Sequence, residues 1–295
     1  MDDQRAALGL VRLPPLMAET TGLADITVGV IDGPVDLTHP DLAQARVNVL
    51  PTGASAPGGC RVPTSFACQH GTFVTGLLAA SPESEVPGIC PGCPVLVRQV
   101  FCEAGPGQIC PVVTPRDLAA AVVDIVSAGA RIVNLSLGVS AAALARDSGV
   151  DDAFEFAFRR GVLVVAAAGN HALIGPAPLL AHPWLIQVAA CDLAARPLRT
   201  SNLGIGIGRS GLLAPGAHID GLAPGGRQRL SGTSVAAPFV TGTAALLWSL
   251  HPAMTAAQIR AALLRPGLQR RSIVPPLLDA VASRRSLAIP VRAAH

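Results

Sequence analysis

Lysine is absent from this chain, so all 22 of its basic side chains other than histidine are arginine. That excludes a lysine Schiff base and a lysine general base. Tyrosine is absent too, and aromatics make up only 3% of the 295 residues, which leaves few platforms for stacking bases. Charged residues are scarce at 14%, and a net charge of +3 is too mild to argue for a nucleic-acid partner. No apolar run reaches the roughly 18 residues needed to cross a bilayer. The opening M-D-D-Q-R lacks the basic stretch and apolar core of a secretion signal. The expectation is a cytoplasmic monomer with neither nucleic acid nor membrane as a partner.

What is present is half apolar, enough to bury the core of one large α/β domain. Short apolar runs rich in β-branched residues occur at 26–31, 94–101, 131–137, 162–168 and 185–190, and each reads as a strand. Helical stretches at 114–129 and 151–161 alternate with them, and an apolar run continues from Ser234 to Leu250. That alternation predicts a three-layer α/β/α fold around a mainly parallel sheet. Residues 1–25 read as an arm on the surface, 26–265 as the folded domain, and 266–295 as a peripheral tail packed on it.

Three stretches carry candidate chemistry. Ser234 stands in L-S-G-T-S-V-A-A-P at the start of the last apolar run. A serine in the first turn of a helix lies among free N–H groups and the positive end of the helix dipole, a setting that stabilises an oxyanion. Gly232 allows a tight turn there, and Pro238 falls near the helix start, where proline is tolerated. Asp32 ends the first strand and precedes a glycine, so it is either a turn residue or a carboxylate at the ligand-binding edge of the sheet. His70 opens a helical stretch at 70–80, a place that favours a neutral, hydrogen-bonded imidazole.

The blocks V-G-V-I-D-G (28–33), H-G-T-F-V-T-G (70–76), N-L-S-L-G (134–138), A-A-A-G-N (166–170) and S-G-T-S-V-A-A-P (231–238) resemble those of the subtilisin-like serine peptidases, in that family's order of Asp, His, then Ser. The resemblance implies Ser234 as nucleophile, His70 as general base and Asp32 as the group that orients the imidazole. It implies Asn170 as an oxyanion donor beside the N–H of Ser234. Ser136, Leu137 and Gly138 would pair with extended substrate backbone, and Ala167, Ala168 and Gly169 would wall the primary specificity pocket. Phe73 and Val235 replace a histidine and a methionine common in relatives, at positions that do no chemistry. The stretch D-G-P-V-D-L-T-H-P-D-L (32–42) is similar to peptidases that mature ribosomally made peptides of the cyanobactin type. The implied activity is endopeptidase cleavage of a peptide or protein substrate, including a precursor peptide, through an acyl-enzyme. Transpeptidation by the same machinery and non-catalytic peptide binding are the rivals. The short interval between Asp32 and His70 leaves little room for an inserted cover that would hold water off.

Six of the seven cysteines precede residue 111. Cys90 and Cys93 form a C-x-x-C that can join Cys102 and Cys110 around zinc or act as a redox pair. The alternative is disulfides bracing loops, such as Cys60 with Cys68. Cys191, in an apolar run, reads as a buried free thiol. No closely spaced carboxylates suggest calcium, and Asp151-Asp152 reads as an acidic helix start, so neither an essential metal nor a cofactor is expected.

Overall fold

The computed structural model describes residues 2–51, 59–105, 109–136, 149–175, 182–264 and 272–288. Among them, seven strands form one sheet: β1 (Val28–Asp32), β2 (Val47–Val49), β3 (Val95–Gln99), β4 (Ile132–Leu135), β5 (Leu163–Ala167), β6 (Ile186–Cys191) and β7 (Gly211–Pro215). The order across the sheet is β2-β3-β1-β4-β5-β6-β7, with every neighbouring pair parallel. Strands β1, β4, β5 and β6 are buried at every residue, as the mainly apolar strands of a doubly covered sheet must be. The chain lays β2 and β3 on one side of β1 and then crosses to β4 on the other. A crevice forms at the carboxyl ends of strands where the order reverses in this way, and Asp32 ends β1 at that point.

Helices α1 (Asp2–Leu10), α2 (Pro14–Glu19), α3 (Phe66–Ala79), α4 (Pro115–Ser127), α5 (Gly149–Arg159), α6 (Ile205–Ser210), α7 (Thr233–Leu250), α8 (Ala256–Leu264) and α9 (Ala280–Ala288) flank the sheet. Helices α4 and α5 pack together, while α3 packs with α7, which also crosses β4 to β7. Helix α4 starts cleanly because Thr114 and Asp117 cap each other reciprocally and Pro115 occupies the first helical position. Helix α7 is apolar and long enough to span a membrane by composition alone, but 89% of it is buried inside the protein. It is the central helix of the core.

Several expectations need correcting. The first residues are not a surface arm: Ala7, Val11, Leu13 and Leu16, on and between α1 and α2, belong to the hydrophobic core. The helix carrying His70 begins a turn earlier than expected, at Phe66, because Ser65 caps it by accepting the N–H of Cys68. The C-terminal segment is woven in more tightly than a peripheral tail. Leu277 bridges to Leu213 on edge strand β7, and Leu278 and Ala280 are buried. The antiparallel hairpin β8 (Ile219–Ala223) and β9 (Gly226–Leu230), with Pro224-Gly225 at its turn, packs through β8 on α3.

Candidate active site

Asp32 ends β1 and is fully buried. Its Oδ1 lies 2.7 Å from His70 Nδ1 and also accepts the N–H of Gly33 at 2.6 Å. An ionised carboxylate can only accept, so Nδ1 carries the ring proton and Nε2 keeps a free lone pair. Gly33 is required here: a Cβ would lie 2.1 Å from the Ala67 carbonyl of α3. Gly71 faces the Gly33 and Pro34 carbonyls from the other side in the same way. The two glycines let the β1 turn and α3 approach closely enough for the pair to meet. Burial of His70 disfavours its imidazolium, but the charge and hydrogen bond of Asp32 outweigh that and hold its pKa above the ordinary 6.5.

Ser234 stands at the second position of α7, half-buried, directly after Gly232 and Thr233. Gly232 has φ +145, a backbone conformation that L side chains rarely adopt. The N–H of Ser234 lies among the first four of the helix, which have no intrahelical acceptor. Asn170 is exposed, and its Oδ1 accepts the Thr233 N–H at 2.9 Å. That bond fixes the amide and leaves its Nδ2 hydrogens without a protein partner among the described residues. Gly169, at φ +98, donates its N–H to Thr233 Oγ1 at 3.1 Å, so the end of β5 and the start of α7 are laced together. Helices α3 and α7 pack side by side, and among the described residues no hydrogen bond joins Ser234 Oγ to His70.

The chain's affinities bear on this geometry. The Subtilase family pattern matches residues 24–271. The chain belongs to the subtilase family. The subtilase is 31% identical over 256 residues to a subtilisin of Bacillus pumilus, covering 85% of this chain and 86% of that one. It is 30% identical over 256 residues to subtilisin E of Bacillus subtilis, covering 85% of this chain and 62% of that one. Among solved structures it superposes on the protease domain of PatA with a TM-score of 0.77 at 34% identity, covering 90% of this chain and 96% of that one. The prenylagaramide maturation protease PagA gives a TM-score of 0.77 at 31% identity, covering 93% and 98%. The protein is a subtilisin-like serine protease.

Of the remaining sequence candidates, Ala167 and Ala168 are buried at the end of β5. Ser136 is buried just beyond β4, with its hydroxyl on the Ser234 carbonyl at 3.1 Å. Leu137 and Gly138 lie outside the described residues. The cysteines resolve into Cys60–Cys68 and Cys102–Cys110 disulfides, with Cys90, Cys93 and Cys191 free and buried. Pairing of Cys102 with Cys110 takes both away from Cys90 and Cys93, so the four-cysteine zinc set is not assembled. Burial, and then the charge of Asp192, push the Cys191 thiol up to about 12, which makes it inert.

Two features of the subtilase escaped the sequence. Asn202, buried, donates to the Ala168 carbonyl at 2.9 Å and accepts the N–H groups of His171 and Leu173, so it braces the turn that presents Asn170. Nothing in its local sequence marks it. An apolar hollow of about 260 Å³ opens beside His70, lined by Phe66, Ala67, Phe101 and Pro111 and walled by the Cys102–Cys110 disulfide. The Phe66 ring lies 5.5 Å from the imidazole and is 72% exposed. A large apolar side chain left open beside a buried imidazole is the signal that a structure adds and a sequence withholds.

Proposed function

We propose that this subtilase is an endopeptidase that cuts a ribosomally made precursor peptide through an acyl-enzyme. The observation that carries the chemistry is the buried Asp32–His70 pair at the carboxyl edge of the sheet, 2.7 Å apart, with Nε2 left free as a base. Ser234 Oγ attacks the scissile carbonyl carbon while its proton passes to Nε2. The oxyanion is met by the Ser234 N–H and by Asn170 Nδ2, which the Thr233 N–H already orients. The intermediate collapses, the peptide C–N bond breaks, and the leaving amine takes the proton from Nε2. A water molecule, deprotonated by the same nitrogen, then releases the acid and restores Ser234. Asp32 stabilises the imidazolium without taking its proton.

Two relatives support the choice of substrate: PagA and PatA are described as maturation proteases for prenylagaramide and patellamide, at 31% and 34% identity. The apolar hollow beside His70 suits an apolar side chain of such a peptide. The test is digestion of leader-bearing precursor peptides in water enriched in oxygen-18, followed by mass spectrometry. Internal cleavage with the label in the new carboxylate is expected. A cyclic or transferred product without label would overturn hydrolysis, and no cleavage beside efficient digestion of unrelated denatured proteins would overturn the precursor-peptide assignment.

A further inference from the structure

Pro238 lies in α7 four residues after Ser234. In an α-helix the carbonyl of residue i accepts the N–H of residue i+4, and proline has none. The sequence-based expectation that Pro238 sits harmlessly at the helix start therefore fails. It lies beyond the first turn and deprives the carbonyl of Ser234 itself of its helical donor. The hydroxyl of Ser136 stands in, donating to that carbonyl at 3.1 Å. Ser136 Oγ in turn lies 2.7 Å from Asn134 Nδ2, and Asn134 Oδ1 lies 2.8 Å from Thr241 Oγ1. Ser136, Asn134 and Thr241 are all buried, the last two completely.

The polarity of this chain can be deduced. A carbonyl only accepts, so the Ser136 proton is committed to Ser234. Ser136 Oγ must then accept from an amide N–H, which turns Asn134 Nδ2 toward it and Oδ1 toward Thr241. Only a donor fits there, so the Thr241 proton is committed as well. Hydrogen bonds aligned head to tail polarise one another.

We propose that Thr241, Asn134 and Ser136 are positioning residues that act as a one-way relay, holding the Ser234 backbone, and with it Oγ and the oxyanion N–H, in the attacking geometry. The proposal rests on the assignment of Ser234 as the nucleophile. It gives Ser136 a side-chain task distinct from pairing with substrate backbone. It also makes Thr241, which lies two turns along α7 from Ser234, matter to the reactivity of Oγ.

The experiment compares second-order rates of labelling by a fluorophosphonate for the parent, Ser136→Ala, Thr241→Val and Thr241→Ser, each shown to be folded by its melting curve. Thr241→Val keeps the shape and removes the donor. Both Ser136→Ala and Thr241→Val should label at least about tenfold more slowly, since small misplacements of a reacting group are costly. Thr241→Ser should label at the parental rate, and with a fluorogenic peptide the loss should fall on kcat with KM unchanged. Folded Ser136→Ala and Thr241→Val proteins that label as fast as the parent would overturn the relay. Should Thr241→Val not fold, Ser136→Ala against Ser136→Thr supplies the same contrast. A parent with no label on Ser234 would remove the nucleophile assignment and the relay together, whereas equal labelling of parent and variants removes the relay alone.

Discussion

At the scale of single residues, the proposed chemistry depends on one proton on His70. Asp32 holds it on Nδ1, and the same interaction raises the pKa of the imidazole above 6.5 against the effect of burial. The consequences for activity and stability run in opposite directions. A base must be neutral, so kcat/KM should rise with pH and reach half its plateau above 6.5. The folded state binds this proton more tightly than the unfolded chain does. The stabilisation from charged His70 is therefore complete below 6.5 and is lost as pH rises through the higher folded value. A pH profile of peptide cleavage recorded beside melting curves checks both limbs. An acidic limb centred below 6.5 would contradict the dominance of the Asp32 charge and hydrogen bond over burial at His70.

At the scale of elements, α3 matters most, because it carries His70 and is fastened in three ways. Ser65 caps it, Gln228 of β9 donates to the Gln69 carbonyl at 2.9 Å, and Cys68 is crosslinked to Cys60. Removing the crosslink as Cys60→Ser with Cys68→Ser releases a short loop, worth roughly 2–3 kcal/mol by chain entropy, and should lower Tm on the order of 5 °C. An unchanged Tm would show that the cap and the hairpin alone fasten this end of α3. The sequence revealed α3 only in part. H-G-T-F-V-T-G announces an apolar helix, but the cap at Ser65 sits before a Phe-Ala-Cys-Gln turn that has no periodic pattern to mark it. The hairpin β8–β9 was legible in principle, from a Pro-Gly turn between short runs, yet its half-buried strands lack the apolar continuity that marked the sheet.

At the scale of the molecule, the parallel sheet was legible because β1, β4, β5 and β6 are wholly buried and therefore mostly apolar, with Asp32, Asn134 and Gln187 as buried polar exceptions. Asp32, His70 and Asn170 stood out as candidates because each sits beside a glycine, and Ser234 because it follows one by two residues, places where the backbone must turn or approach closely. What surrounds them was not. Asn202, Asn134 and Thr241 act through contacts between residues distant in the chain, and the role of Ser136 appears only once the register of α7 places Pro238 against the Ser234 carbonyl. The N-terminal helices were hidden for a similar reason, since Leu13 and Leu16 flank Pro14-Pro15 and belong to the core only through tertiary packing.

The central claim is that this fold activates Ser234. The most direct measurement is intact mass after exposure to a fluorophosphonate, for the parent and for Ser234→Ala with matching melting curves. One adduct on the parent, mapped to Ser234, and none on the variant is the predicted result. A folded parent that takes no adduct, or a variant that takes the same one, would contradict it.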